Sequence, residues 1–132
     1  MFKTKIRMYL IYWFNKEESE TEVNELLNQL NLNNIEYEKV RCGDNGIKFS
    51  EICLETPCLD DVTEKFLSLF GNKTDEINMI ADKYEGFFVL EIVPEMYSRT
   101  APQLSFGCEF LKFIQRLKNF KHIDIDQYFF WD

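Results

Sequence analysis

The segment KHIDIDQYFFWD at the end of the chain carries an imidazole and two carboxylates at every second position: His122, Asp124 and Asp126, followed by Tyr128. In a strand, residues two apart share a face and lie about 6.6 Å apart, so these groups could line one groove. An imidazole with two hard carboxylates would suit Mn or Fe, given a further ligand from elsewhere. The same pattern also describes the wet side of a sheet, whose acids deter pairing with foreign strands. The chain has a single histidine, so the partner imidazoles of a familiar metal centre are missing. The face reads as solvated and as a candidate contact surface. No catalytic residue, metal ligand or cofactor is assigned.

Other reactive residue types are weaker still. Cys53 and Cys58 are separated by LETP, with no CxxC pair, and Cys42 and Cys108 stand apart. That spacing does not make a zinc site, and the thiols are expected to be buried or half-buried in a reducing compartment. Cys108 follows Gly107 near an expected helix start, where a thiolate could be stabilised, but packing against Phe106 or Leu111 is the expectation. His122 has no nucleophile elbow to serve, and GDNG lacks the lysine and following helix of a phosphate loop.

Two further groups suit binding better than catalysis. Glu17, Glu18, Glu20 and Glu22 crowd one expected helix start, where the helix dipole favours carboxylates by about 0.3–1 kcal/mol each. They also form an anion-rich patch able to meet a basic cleft. The terminal YFFWD adds Tyr128, Phe129, Phe130 and Trp131, residue types enriched at interface hot spots. Alternation turns Phe129 inward and leaves Phe130 and Trp131 as the ambiguous pair.

The elements that must position these groups follow from periodicity. Residues 3–14 alternate and then become apolar on both faces, as in a central strand. ESETEVNELLNQLNL is a helix opened by Ser19 and Glu22 in a capping-box pattern and closed by NLNN. Strands Tyr37–Cys42 and Ile47–Thr56 flank GDNG, a hairpin signal. LDDVTEKFLSLF is a helix broken by Gly71 and Asn72, and a second helix opens at Thr74. FFVLEIV is the most apolar strand, Pro94–Pro102 a loop, LSFGCEFLKFIQRLKNF a helix, and the terminal segment the last strand.

The order β-α-β-β-α-α-β-α-β predicts one α+β domain over residues 1–132. Its sheet is five-stranded, antiparallel or mixed, with helices mainly on one face. A chain of 132 residues with 13 Phe, 6 Tyr and 2 Trp has ample material for one core. Charge is 15 − 23 = −8, which disfavours nucleic acid and anionic membranes and favours a basic protein partner. MFKTKIRMYLIYWF imitates a signal peptide, but its apolar run is short and meets NKEESE directly. No run approaches a membrane span. The chain reads as cytoplasmic.

FVLEIVPEM, PQLSFGCEFLKFIQRL and HIDIDQYFF, with the helix TEVNELLNQLNL, resemble a bacterial family catalogued as domain of unknown function 4279. The resemblance covers about half the chain. The middle departs from it, lacking the Trp- and Gly-containing segment expected after the first helix. It implies an α+β fold and carries no catalytic residues. In type, an acidic, Asn-rich single domain without enzyme motifs is similar to immunity proteins of contact-dependent inhibition and polymorphic toxin systems.

These readings converge on a non-enzymatic binding protein that occludes a cognate basic toxin domain, of nuclease type. Its candidate contact residues are Glu17, Glu18, Glu20, Glu22, Asp124, Asp126, Tyr128, Phe130 and Trp131. Two alternatives stay open: a small metal-dependent enzyme using His122, Asp124 and Asp126, and a self-associating structural module. Monomer and homodimer are equally compatible with the sequence.

Overall fold

A computed structural model of the chain describes residues 4–32, 35–39, 45–97 and 101–130; of residues 35–39 only the backbone is described. Strand β1 (Lys5–Phe14) lies at the centre because both its faces are apolar. It pairs antiparallel with β5 (Gly86–Met96) along its full length, from Lys5 opposite Glu95 to Phe14 opposite Gly86. On its other side β1 meets β3 (Asn45–Phe49) near its end and β4 (Ile52–Glu55) near its start. Strand β2 (Ile35–Lys39) flanks β3, and β6 (Phe120–Ile125) with the short β7 (Tyr128–Phe129) flank β5 in parallel. The result is one mixed sheet in which the path β2-β3-β1-β5-β6 has five positions, two of them filled by interrupted strands.

The interruptions correct the sequence reading. Ile47–Thr56 is not continuous: pairing lapses at Ser50 and Glu51, between β3 and β4. Asn45 and Gly46 belong to β3, opposite Lys39 and Glu38, rather than to a turn. Gly43, Asp44 and Cys42 lie outside the described residues. Gly46 and Gly86 are needed because they press on β1 from both sides. A Cβ at Gly46 would stand 2.5 Å from the Tyr12 carbonyl oxygen, and one at Gly86 2.1 Å from that of Trp13.

Strand β5 runs through Pro94 to Met96, where a loop was expected. Pro94 has no N–H to donate, but it falls where β6 has ended opposite Ile92 and β7 begins opposite Glu95. The terminal segment is likewise two strands, because Asp126 and Gln127 leave the ladder.

Among the described residues four helices cover one face. Helix α1 (Glu20–Gln29) is capped by Ser19 Oγ, which accepts from the Glu22 N–H at 3.4 Å. Its end is a Schellman turn: Leu32 N–H donates to Leu27 O, Asn31 N–H to Asn28 O, and Asn31 holds φ 54°. Helix α2 (Leu59–Phe70) lacks a side-chain bond from its cap, Cys58; instead Thr56 Oγ1 accepts from the Cys58 N–H and donates to Asp61. Helix α3 (Thr74–Lys83) buries Ile77 and Ile80 as its periodicity requires.

Helix α4 (Cys108–Arg116) starts four residues later than the apolar pattern suggested, with extended Gly107 as its cap. Phe106, outside the helix, still stacks on Phe110 with ring centroids 5.8 Å apart. Cys53 and Cys108 are exposed, which overturns the expectation of buried or half-buried thiols at both positions, while Cys58 is half-buried. Exposed, Cys108 is the first residue of its helix and does not take part in the Phe106–Phe110 stack.

Even-numbered side chains of β1 and β5 (Ile6, Met8, Leu10, Tyr12; Phe88, Leu90, Ile92) form one cluster with Val23, Leu27, Phe66, Phe70, Ile80, Phe110 and Phe113 from the helices. Phe66 touches Phe70, Phe110 and Phe113 at centroid distances of 4.9, 5.9 and 5.5 Å. Removing such a ring costs about 3–5 kcal/mol. Among the described residues no helix is long and apolar enough to cross a membrane.

Candidate functional site

Odd-numbered residues of β1 and β5 point away from the helices. Ile11, Val89 and Val93 are nonetheless buried. They sit among Tyr9, Trp13 and Phe87 on the same face, and the Lys48 ammonium lies 4.3 Å above the Tyr9 ring. The open face therefore has a small apolar floor of its own; the Arg7–Glu95 ion pair flanks it beside Val93, and Glu91, half-buried, stands within it opposite Tyr9.

Strand β6 brings its chemistry to Glu91 through a bulge. Phe120 pairs with Phe88 and His122 with Val89, so Lys121 is the extra residue. Phe120 and Ile123 are three apart, and a regular strand would send them to opposite faces. The bulge lets both join the core cluster, and it turns His122 and Asp124 together onto the Glu91 side. Lys121 lays its ammonium over the Phe87 ring, 4.3 Å from the centroid.

Asp124 stands between two partners. His122 Nε2 is 3.1 Å from one Asp124 carboxylate oxygen and 3.2 Å from the other. On its other side Asp124 hydrogen-bonds the Glu91 carboxyl, which burial, that bond, and the charges of Asp124 and Asp126 push up to about 7, against a pull from His122. Near neutral pH the Glu91 carboxyl thus gives up or takes a proton easily. Beside the pair is a cavity of about 400 Å³ lined by Trp13, Phe87, Val89, Lys121, His122 and Asp124, with Glu91 in its wall.

Of the expected triad, His122 and Asp124 come together. Asp126 lies past the end of β6, where its N–H donates to Ile92 O at 2.9 Å. Among the described residues no group of three or more His, Cys, Asp and Glu side chains is arranged to hold a metal ion. The sequence reading missed Glu91, although a lone carboxylate inside FFVLEIV was its signal.

The candidate contact residues fall into two groups. Glu17, Glu18, Glu20 and Glu22 lie beside the Phe14–Gly86 end of the sheet: Glu18 O accepts from Asn45 Nδ2 at 3.4 Å, and Tyr84 lies in the field of Glu22, Glu18 and Glu25. Tyr128 and Phe130 lie at the opposite end, where Tyr128 pairs with Glu95. Ten residues of β1 separate the ends, about 30 Å at 3.3 Å per residue. The two groups do not form one surface. Trp131 lies outside the described residues.

At that lower end Tyr128, Phe130 and Tyr97 stack in series, with centroids 6.5 and 4.8 Å apart. Tyr97 Oη donates to Glu95 at 3.3 Å, and Glu95 accepts from Arg7 at 2.8 Å. Phe129, expected inward, is 57% exposed, with Ile125 at 44%, Tyr128 at 48% and Phe130 at 54%. Neither Ile125 nor Phe129 joins the core cluster, so among the described residues alternation along this edge has no core to face. Comparison with family models, with curated proteins and with solved structures gives no match.

Proposed function

We propose that this protein is a non-enzymatic binding module whose contact surface is the β6–β7 edge, and that its partner is a basic protein. Immunity by occlusion of a toxin's basic cleft is the form of this reading that best fits the charge of −8. The observation that carries it is that Ile125, Tyr128, Phe129 and Phe130, four large and mainly apolar side chains, are each exposed along the β6–β7 edge. Exposed apolar patches rimmed by polar groups mark protein contact sites, and aromatic residues dominate their energetics. Asp124 and Asp126 supply the rim. The glutamates of α1 stand too far away to share the same contact.

The test is affinity capture from a lysate of the organism that carries the gene, using the intact protein and a Tyr128→Ser/Phe130→Ser variant. The expected result is one basic partner that is lost from the variant and weakened at about 0.5 M salt, where screening lengths shrink to a few ångströms. Capture should survive Glu20→Gln/Glu22→Gln. Partner capture that ignores the edge variant, or bait alone, overturns the reading. A dimer in sedimentation that dissociates with the same edge variant would assign the surface to a second copy of the chain.

A further inference from the structure

The cavity on the uncovered sheet face shares only Asp124 with the edge surface, and none of the exposed aromatics lines it. Its volume, about 400 Å³, falls in the range of small-molecule pockets, roughly 300–1,000 Å³. Its two ends differ in chemistry. Phe87, Val89 and Glu91 follow one another on the same face of β5, so the cavity runs about 13 Å from an aromatic end to a carboxylate end. Trp13 pairs with Phe87 and completes the aromatic end. At the other end two carboxyl groups, Glu91 and Asp124, are register partners on neighbouring strands and both line the cavity.

We propose that this cavity binds an organic cation, an ammonium or guanidinium on a short apolar body, with the charge on Glu91 and Asp124 and the body against Trp13, Phe87 and Val89. Two adjacent carboxylates repel, and a cation placed between them removes the repulsion, so it is favoured beyond its simple attraction to either. A neutral ligand gains only the apolar wall, and an anion meets like charge. The Lys121 ammonium already occupies the face of Phe87, which directs an incoming cation to the carboxylate end. The cation can belong to a free amine or to a Lys or Arg side chain of a partner; the chemistry is shared.

Binding is linked to protons. Among titratable and charged groups, Glu91 faces Tyr9 from β1, with Lys48 of β3 over the Tyr9 ring, and Asp124, His122 and Asp126 from β6 and just beyond it; Lys121 lines the same cavity. With the Glu91 carboxyl near 7, a bound cation should release about half a proton at neutral pH. Affinity should fall about tenfold between pH 8 and pH 6.

The experiment is calorimetric titration of the full chain with phenethylammonium and butylguanidinium. Neutral 2-phenylethanol and anionic 3-phenylpropionate serve as isosteres. Cations are expected to bind at or below about 1 mM, with the stated pH dependence and proton release, while the isosteres bind at least tenfold more weakly. Glu91→Gln should remove both the proton release and most of the affinity. Asp124→Asn, at a half-exposed position, should weaken binding tenfold even if the Glu91 variant fails to fold. A capped Gly-Arg-Gly peptide binding more tightly than either free cation would assign the site to a partner's side chain; the reverse would assign it to a small amine. Equal binding of the neutral isostere, insensitivity to both variants, or no binding of any cation overturns the proposal.

Discussion

Replacing Glu91 with Gln should stabilise the protein at pH 8, although it removes a hydrogen-bonding carboxylate from a sheet. The folded state raises the Glu91 carboxyl from 4.5 to about 7. A raised acid contributes its full stability below the unfolded value, and that contribution is lost as pH climbs through the folded value. The loss therefore accumulates between about pH 4.5 and 7 and is complete above. The full shift corresponds to about 3 kcal/mol, but Glu91 is only half-buried and solvent screens part of it, leaving about 1–2 kcal/mol. Gln keeps the shape and can still bond Asp124, now as an obligate donor. In a chain of this size, 1 kcal/mol moves the melting temperature by about 4 °C. Thermal unfolding followed by circular dichroism should place Glu91→Gln about 4–8 °C above the native chain at pH 8 and within about 2 °C at pH 4.5. A variant less stable at pH 8, or a gap that does not narrow on acidification, would refute the strained pair and weaken the case for a cation site.

Three further outcomes follow from the core. Tyr84 Oη is buried with no hydrogen-bond partner among the described residues, so Tyr84→Phe should gain up to about 1–2 kcal/mol in urea unfolding. Gly86→Ala would drive a Cβ to 2.1 Å from the Trp13 carbonyl oxygen; the same assay should show a loss of about 3 kcal/mol, the upper end for overpacking. Ser19→Ala deletes the 3.4 Å cap of α1 and should lose about 0.5 kcal/mol, the low end for such caps because the bond is long.

The element order, the four helices and the central place of β1 were legible because hydrophobic periodicity encodes which face is buried. Val23, Leu26 and Leu27 or Val62, Phe66 and Phe70 can only be one stripe of a helix. Strand interruptions were not legible, since Pro94 reads as a breaker until the lapse between β6 and β7 shows that its donor is not needed. Phe129 defeated alternation for a different reason: period two says that two faces differ, not that either meets a core. The site was half legible. His122 and Asp124 announce themselves by spacing, but Glu91 enters through the register of a parallel pairing between segments about thirty residues apart, which local pattern does not contain.

The bulge at Lys121 reconciles the demands of the core with those of the site, and a chain one residue shorter at that point should meet both without it. Deleting Lys121 leaves Phe120 opposite Phe88, His122 opposite Val89, Ile123 opposite Leu90 and Asp124 opposite Glu91, the same partners in an uninterrupted ladder. Both apolar anchors keep the helical side, and both polar groups keep the open side. The shortened chain should therefore fold, with a melting temperature within about 5 °C of the native value, since little beyond the contact of one exposed lysine is lost. The Glu91–Asp124 pair should survive, and the Glu91 carboxyl should still titrate near neutrality by NMR. Inserting an alanine after Ile123 is the opposite perturbation: it rotates Asp124 and Ile125 to the wrong faces, which should return Glu91 toward an ordinary carboxylate range and bury a charge against the helices. If the deletion unfolds the protein while the insertion is tolerated, the extra residue is doing something other than reconciling Phe120 with Ile123, and the geometry assigned to the cavity wall is wrong.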